Sequence, residues 1–441
     1  MLRILLSATL AMGLAYVQPL AAQPLTLSAA FEQALQNRAE YKAQLANVTL
    51  AARQNEKIRA QWRPQLSASA DLRWNTQLQT SVLPIGEFGL PNTPADAKQE
   101  IQLGLPYNYS LGIQAEQKVY DPLRRIDERI NDGKADAEAI TLEKVARDIR
   151  YEVAEAYYAA LYSREQLALA SARVQQAELN VAVVEVQRRN GAALTQEADR
   201  FALDLANARF ALRKAEQDLR FALEQLQYRM GAPLTGDLQL AETLAQLAAD
   251  TLAPAAARGA VRPELRLEDA NLTLNALNEE RWQLRNRPTV SAYANYTLLH
   301  LNDGPNPFEA GTWFPFNYIG IRATAPLYDG RQAKLEAQDY SLRRQVNILN
   351  RQRIQANIDY EVQRQQKTLA QARIDWQQSS ENTALARRLL AADRVRYEQG
   401  AMRQNELKNT ELAVKEAEDN QLTATYNLLL AHLNLQKALG L

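Results

Sequence analysis

Apolar residues recur at alternating steps of three and four along two stretches of the chain. The first stretch follows Gly191, and all of its seam positions are apolar: Ala198, Phe201, Leu205, Ala208, Leu212, Ala215, Leu219, Ala222 and Leu226. Adding 209 to each number gives a second seam after Gly400, in which only Thr410 and Gln421 are polar. An average step of 3.5 residues predicts helices that supercoil around neighbouring helices. The chain is therefore predicted to contain its coiled coil twice.

Each seam is preceded by a glycine that ends another long helical pattern. Gly191 and Gly400 thus predict two tight helix-to-helix reversals. The pattern before the first glycine begins after Pro122, and at 1.5 Å per residue it predicts a helix on the order of 100 Å long. Each half is therefore expected to carry a long antiparallel hairpin, about 122–231 in the first and about 331–440 in the second.

Four stretches have a hydrophobic period of two instead, with one apolar and one polar face, and predict strands at about 65–76, 107–117, 289–299 and 316–327. Loops rich in glycine and proline separate the members of each pair. Since lipid cannot satisfy an open sheet edge, a membrane sheet must close. Four strands are too few to close alone, so several copies are expected to share one barrel. This argument leaves two, three or four copies open.

The two halves are related by duplication. Arg63, Pro64 and Ser67 match Arg287, Pro288 and Ser291 at a constant offset of 224, which runs through a helix, a proline and a strand. A helical pattern from Leu27 to about Arg59 opens the first half. The predicted domains are a signal peptide (1–22), a first repeat (23–233), a connector (234–260) and a second repeat (261–441).

Composition narrows the class of protein. Lys plus Arg and Asp plus Glu number 51 each and are interspersed, which gives no indication of nucleic-acid binding. Arg3, the apolar run from Ile4 to Val17 and the small residues Ala21 and Ala22 are typical of a secretory signal. No later stretch approaches the length of a membrane-spanning helix. The chain contains no cysteine, which excludes disulfides and a lipid-modified thiol.

Catalytic chemistry has little support in the sequence. His300 and His432 are the two histidines and lie far apart in the pattern, which disfavours a metal site or a catalytic triad. No glycine-rich phosphate loop is present, and the acidic residues are spaced as on helix surfaces. We therefore expect no enzyme activity, no cofactor and no metal.

Each half of the chain has the same predicted order: helix, strand, loop, strand, long helix, reversal and helix. This doubled order resembles the TolC-like outer membrane factors, as do the runs 153–178 and 394–414. The resemblance covers essentially the whole mature chain. It implies a mainly α-helical fold with a membrane β-barrel, a homotrimer in the outer membrane of a Gram-negative bacterium, and twelve shared strands above a periplasmic helical tunnel. It also implies an exit duct of a tripartite efflux pump or a type I secretion system. The implied partners are outer membrane lipid, a periplasmic adaptor (membrane fusion) protein and an inner-membrane transporter.

In that family, polar residues near the reversals close a periplasmic aperture. The matching positions here are Glu406, Asn409, Tyr397 and Glu197. Met402 occupies the position of a family arginine, so Arg403 or Arg200 is expected to take over its charge pairing. The resemblance also implies adaptor docking at the reversals, near Gly191, Ala192, Gly400 and Ala401.

Plainer interpretations stay open beside these. Glu197 and Glu406 also fit first-turn carboxylates that stabilise a helix dipole. An aromatic girdle at the membrane surface is predicted from Trp74, Tyr107, Tyr109, Trp313 and Phe316, although the last two also fit packing within a loop. A periplasmic coiled-coil adaptor explains the hairpins but not four amphipathic strands, and a structural envelope spacer leaves the paired strands without a role.

Overall fold

The computed structural model describes residues 24–84, 94, 96–102, 104–191, 193–234, 238–251, 261–308, 313–399 and 401–441. The predicted signal peptide, Ala192, Gly400 and parts of the connector (235–237 and 252–260) lie outside the described residues. The described elements, in chain order, are α1 (Leu27–Asn37), α2 (Ala39–Ala60), β1 (Gln65–Trp74), β2 (Thr80–Leu83), β3 (Gln99–Gln102), β4 (Tyr107–Tyr120), α3 (Arg124–Arg189), α4 (Thr195–Met230), α5 (Leu244–Thr251), α6 (Pro263–Leu284), β5 (Thr289–Asn302), β6 (Phe314–Thr324), α7 (Gln332–Glu398) and α8 (Gln404–Leu439).

The internal duplication is visible in the bounds of the helices. Both ends of α6 follow those of α2 by 224 residues (263 minus 39 and 284 minus 60), and both ends of α8 follow those of α4 by 209 (404 minus 195 and 439 minus 230). The two seams lie on α4 and α8, and every seam position is buried or half-buried. The two predicted heptad helices are therefore confirmed.

The chain forms two compact units. Among the described residues, the helical unit comprises those within 24–46, 140–266 and 352–441, and the sheet unit comprises those within 47–139 and 267–351. The core of the helical unit contains Tyr157, Leu161, Leu226, Met230 and Leu428, each at most 2% exposed. A smaller apolar cluster in the sheet unit is formed by Ile126 and Ile130 of α3 with Leu277 of α6. Each unit thus buries its own apolar side chains.

The main sheet has the strand order β1-β4-β5-β6, and all neighbours are antiparallel. Because β4 belongs to the first repeat and β5 to the second, the two repeats join in the middle of the sheet. Strands β1 and β6 are the edges, and neither has a second partner strand among the described residues. The sheet therefore ends in two unpaired edges.

One face of this sheet is apolar and exposed. The register places Leu66 opposite Ala115, Ala115 opposite Ala294, and Ala294 opposite Ile319. Leu66 is 75% exposed and Ile319 is 88% exposed. The neighbouring positions on the other face carry Ser67, Gln114, Asn295 and Tyr318. The predicted apolar and polar faces are thus present.

Several predicted strand bounds were wrong by a few residues. The last strand was predicted at 316–327, but β6 ends at Thr324, since Pro326 has no N–H to donate and Thr324 already pairs with the first residue of β5. Strand β1 ends at Trp74, two residues before its predicted end. Strands β4 and β5 extend three residues beyond their predicted ends, to Tyr120 and Asn302, because they pair with each other over this length.

Two predicted irregular segments contain structure. The first loop includes the hairpin β2–β3, while residues 85–93 of that loop lie outside the described range. The connector contains α5, and its Leu240 forms a parallel bridge with Leu25. Leu240 and Leu244 are both under 10% exposed. Burial of these apolar side chains in the helical core explains why the connector is ordered there.

The predicted helix from Leu27 to Arg59 was wrong as a single element. It is broken at Arg38, whose backbone is extended (φ −64°, ψ 125°). The Arg38 guanidinium donates to Glu152 at 2.6 Å and to Glu40 at 3.0 Å. Gly231 lies against this break, where an added Cβ would be 3.3 Å from the Arg38 nitrogen. The ion pairs and the close approach favour the break over a continuous helix.

The second repeat contains the same ion-pair arrangement. Arg262 donates to Glu361 at 2.7 Å and to Glu264 at 3.2 Å, which matches Arg38 with Glu152 and Glu40. Arg147 of α3 also pairs with Glu264, at 2.6 Å, and its side chain is 10% exposed. Burial raises the pKa of Glu264, but hydrogen bonds from Arg147 and Arg262 outweigh it and lower the pKa to about 2.

This lowered pKa predicts a pH-dependent contribution to stability. The folded pKa lies below the ordinary value of 4.5, so the contribution is present above about pH 4.5 and is lost as the pH falls towards 2. Allowing for partial solvent screening, we expect Glu264→Gln to lower the free energy of unfolding by roughly 2 kcal/mol at pH 7. The difference from wild type should fall below half at pH 3. Thermal unfolding of both proteins at pH 7 and pH 3 measures this difference in the free energy of unfolding. A difference that is the same at both pH values contradicts the lowered pKa of Glu264.

Candidate functional site

The two helix reversals position the candidate site in the helical unit. Helix α3 ends at Arg189, and Gly191 adopts a left-handed conformation (φ 70°) that favours glycine. Helix α4 then begins at Thr195. In the second repeat, α7 ends at Glu398 and α8 begins at Gln404. Gly191 therefore forms the predicted reversal, whereas Gly400 lies outside the described residues.

Glu197 and Glu406 cap the helices that begin here. The Glu197 carboxylate accepts from the backbone N–H of Leu194 at 3.1 Å, and the Glu406 carboxylate accepts from that of Arg403 at 3.4 Å. The two contacts are equivalent, since 197 plus 209 is 406. A carboxylate in the first turn satisfies a free backbone donor and interacts favourably with the helix dipole. The plainer interpretation of these two residues is thus supported by direct contacts.

A cleft of about 220 Å³ lies between the first turns of α4 and α8. Its lining is almost entirely polar or charged and consists of Glu197, Arg200, Phe201, Asp204, Arg403, Gln404, Asn405 and Lys408. Three predicted site residues, Glu197, Arg200 and Arg403, therefore come together. The charged lining favours polar or ionic contacts over the binding of an apolar molecule.

The principal ion pair of the cleft was missed by the sequence analysis. Lys408 of α8 donates to the carboxylate of Asp204 in α4, so the pair joins the two repeats. Their side chains are 40% and 41% exposed. An exposed pair of this kind contributes at most about 1 kcal/mol. Its significance is its position, because it joins α4 and α8, which belong to hairpins of different repeats.

Two further contacts connect the same hairpins. Arg173 of α3 pairs with Asp419 of α8 at 2.8 Å, and Arg394 of α7 donates to Gln176 of α3 at 3.0 Å. Arg394 also approaches Glu411 at 3.7 Å. Burial raises the pKa of the Glu411 carboxyl, an effect that Arg394 and Lys408 only partly offset. Polar contacts between hairpins thus extend along the helices from the cleft.

The remaining predicted residues do not line the cleft. Tyr397 is half-buried, while Asn409 and Ala401 are exposed. Glu406 is also exposed and acts through its cap. None of these four is among the residues described as lining the cleft. A signal for Asp204 was present in the sequence, since it lies two helical turns after Glu197, but its partner was not apparent.

Four residues of the predicted aromatic girdle form two groups of ring contacts at one end of the sheet. Trp74 stacks on Tyr107 with ring centroids 6.0 Å apart. Trp313 stacks on the fully buried His300 at 5.1 Å, and His300 also contacts Tyr109 at 5.8 Å. Phe316 lies on β6 and is 47% exposed. It is therefore part of the strand, and the alternative that it packs within the loop is wrong.

The ranges that the structure describes contain neither a cluster of metal-ligating side chains nor a helix that could span a membrane. Within those ranges, no group of three or more His, Asp or Glu side chains is placed to hold a metal ion. The helices within the described ranges include none that is long and apolar enough to cross a membrane.

Known structures resemble this chain over most of its length. No family model matches the sequence, and no curated protein matches it. CusC, which is described as forming a transmembrane channel, has 17% identity and a TM-score of 0.69, over 94% of this chain and 92% of its own.

Two further structures give the same result. The CmeC outer membrane channel of Campylobacter jejuni has 13% identity and a TM-score of 0.68, over 94% and 85% of the two chains. The MtrE outer membrane channel of Neisseria gonorrhoeae, in its open state, has 17% identity and a TM-score of 0.68, over 94% and 88%. At these identities the likeness establishes the fold, so this chain has the fold of these outer membrane channels.

Proposed function

We propose that this chain is an outer membrane channel that forms the exit duct of an export machine. The observation that carries the proposal is the sheet, which has an exposed apolar face and two edges without a partner strand among the described residues. A soluble protein rarely leaves such a face and such edges open, because both promote aggregation. Lipid against the face and a neighbouring copy at each edge account for both features. The shared fold with outer membrane channels supports the same function.

The proposed assembly is a homotrimer. Each chain contributes the four strands of its main sheet, and three copies give twelve (3 × 4). In this assembly β1 of one copy pairs with β6 of the next, so the barrel has no free edge. Exposed apolar residues on the long helices, among them Leu179, Leu342 and Leu349, are then covered between copies in a periplasmic helical tunnel.

The proposed gate consists of the contacts that join the two hairpins near the cleft. Asp204 with Lys408, and Arg173 with Asp419, hold α4 and α3 to α8. Because each such contact is weak, a docking protein can break them and separate the hairpins. Glu197 and Glu406 stabilise the starts of the moving helices, and Arg200 and Arg403 supply the positive charge of the cleft.

The proposed partners are a periplasmic adaptor and an inner-membrane transporter, which dock at the reversals around Gly191, Ala192, Gly400 and Ala401. The absence of cysteine from the chain permits a direct test. Ala401 is exposed and lies at the second reversal. Ala211 is also exposed and serves as the control, since it lies 16 residues after Thr195, or about 24 Å from the start of α4. We expect Ala401→Cys, labelled in cells with a thiol-to-amine cross-linker, to capture an adaptor or a transporter, while Ala211→Cys captures far less.

The result of this cross-linking decides the docking proposal. If Ala401→Cys captures only neighbouring copies of this chain while the cross-linker is active in control reactions, docking at the reversals is contradicted. Channel function is tested separately by membrane fractionation and by conductance in planar bilayers. Recovery in the soluble periplasmic fraction instead favours a coiled-coil adaptor, and membrane recovery without conductance favours a structural spacer.

A further inference from the structure

Four chain segments meet at one end of the main sheet, where its strands begin or end, and form a surface that we call the collar. It consists of residues 59–64, 118–125, 282–288 and 325–334. Strands β1 and β5 begin at this end of the sheet, and β4 and β6 end there, since Tyr120 pairs with Val290 and Thr289 pairs with Thr324. Contacts also join the segments, because Gln117 donates to the Trp62 carbonyl at 3.3 Å and the Arg124 guanidinium lies 4.4 Å from the Trp62 ring centroid.

The collar is strongly basic although the chain as a whole is neutral. Its nine cations are Arg59, Arg63, Lys118, Arg124, Arg125, Arg285, Arg287, Arg331 and Lys334, and its two acids are Asp121 and Asp329. The collar therefore carries a net charge of +7 (nine minus two), against 51 cations and 51 acids in the whole chain. Positive charge concentrated at one end of the sheet produces a positive potential that attracts anions.

Most of these cations lack an acidic partner. Lys118 lies 3.4 Å from Asp121, and Arg124 lies 3.5 Å from Glu128. None of the other seven forms a salt bridge within the described part of the chain. Both acids of the collar also cap helices: Asp121 accepts from Leu123 N–H at 2.9 Å, and Asp329 accepts from Arg331 N–H at 3.0 Å. The charges of these seven cations are thus not compensated by a salt bridge within the described residues.

Large apolar and aromatic side chains are exposed among these cations. Leu327 is 99% exposed and Tyr328 is 82% exposed. The equivalent pair in the first repeat, Val119 and Tyr120, is 59% and 49% exposed, and both pairs are related by an offset of 208. In addition, the Arg285 guanidinium stacks on Trp282 at 4.5 Å. Both repeats therefore present apolar surface beside positive charge at the same end of the sheet.

We propose that the collar binds anionic phospholipids, with their headgroup phosphates on the arginines and their upper acyl chains against Leu327, Tyr328, Val119 and Tyr120. This inference rests on the proposed function, since it requires the sheet to lie in a membrane with the collar at the leaflet that borders the periplasm. Tyrosine and tryptophan concentrate at membrane surfaces, and basic residues beside them bind anionic headgroups. Arginine suits this role because its planar guanidinium donates two parallel hydrogen bonds to a phosphate.

A phospholipid fits the collar better than other anionic partners. An acidic peptide or a nucleic acid matches the charge but leaves Leu327 and Tyr328 in water. An uncharged lipid covers these two side chains but leaves the seven cations without counter-charges. An anionic phospholipid supplies both the phosphate and the acyl chain, so it alone satisfies both features of the surface.

The test is a comparison of lipid binding by the full-length, detergent-solubilised protein. Native mass spectrometry with equal amounts of phosphatidylglycerol and phosphatidylcholine counts the lipids of each type that stay bound. The collar variant is R63Q/R125Q/R287Q/K334Q. The matched control, R213Q/K214Q/R220Q/R353Q, removes the same residue types at exposed positions that form no salt bridge within the described residues. We expect wild type and control to prefer phosphatidylglycerol several-fold, and the collar variant to bind both lipids equally.

Equal binding of the two lipids by wild type overturns the inference, as does the same loss in both variants. Conductance of wild type in planar bilayers distinguishes this failure from failure of the proposed function. Conductance without lipid preference leaves the channel in place and removes the collar site. Lipid preference without conductance supports the collar and removes the channel. Retention of the assembled species in the mass spectra confirms that each variant has folded.

Discussion

Lysine in place of both Leu66 and Leu72 is expected to abolish assembly of the protein in membranes. Both residues lie on the apolar face of β1 and are 75% and 65% exposed in the single chain. In the proposed barrel this face contacts lipid, where a lysine near the bilayer centre costs about 2–4 kcal/mol. The double variant should therefore lose roughly 4 kcal/mol or more, which corresponds to about a thousandfold less inserted protein. Membrane fractionation and heat-resistant oligomer on gels measure the loss.

The same strand provides a matched control on its other face. Ser67 and Ser69 alternate with the apolar positions and are also exposed in the single chain. Lysine at both serines adds the same charge, but on the face that lines the proposed lumen. The S67K/S69K variant should assemble normally. If L66K/L72K and S67K/S69K assemble equally well, the assignment of the apolar face to lipid is wrong.

Opening of the channel is expected when the contact between Asp204 and Lys408 is removed. Asp204→Ala takes away the acid that Lys408 binds and leaves three cations, Lys408, Arg200 and Arg403, around the same cleft. One exposed ion pair is worth up to about 1 kcal/mol, and three copies acting together in a trimer give about 1–3 kcal/mol. The ratio of open to closed channels should then rise about 5- to 150-fold. Single-channel conductance and entry of large antibiotics into cells measure this change.

The charge swap D204K/K408D is expected to restore closure, because it rebuilds the pair with its polarity reversed. A control pair is available within one hairpin, where Arg209 of α4 binds Glu178 of α3 at 2.8 Å with both side chains about half exposed. Removing it by Glu178→Ala should leave gating unchanged. An equal effect of E178A and D204A, or no rescue by the swap, indicates general destabilisation instead of a gate.

Much of the fold follows from periodicity along the chain. The seams of α4 and α8, the long helices α3 and α7 and the four main strands were predicted from apolar residues that recur in the sequence at helical or strand spacing. The duplication reinforced each assignment, since an element was predicted twice from separate stretches. The hairpin β2–β3 was missed because it has only four residues in each strand and no clear alternation.

The candidate site was predicted only in part, for a physical reason. Glu197 was predicted from the family resemblance, and its alternative role as a first-turn carboxylate is a local feature of the sequence. Arg200 and Arg403 were predicted as substitutes for the family arginine whose position Met402 occupies. The Asp204–Lys408 pair joins residues 204 positions apart, so no local pattern indicates it. The break at Arg38 likewise depends on Glu152, which lies 114 residues away.

The sequence by itself determined the two repeats, the helical seams and the apolar and polar faces of the strands, because each of these depends on neighbours within a few residues. The tertiary structure alone decided the strand order β1-β4-β5-β6, which places the junction of the repeats inside the sheet and its open edges at β1 and β6. It also decided which charges meet in the cleft and which remain unpaired in the collar. Contacts of this kind join distant segments and contribute little energy individually, so they follow from the packing of the helices and strands and leave no periodic signal in the sequence.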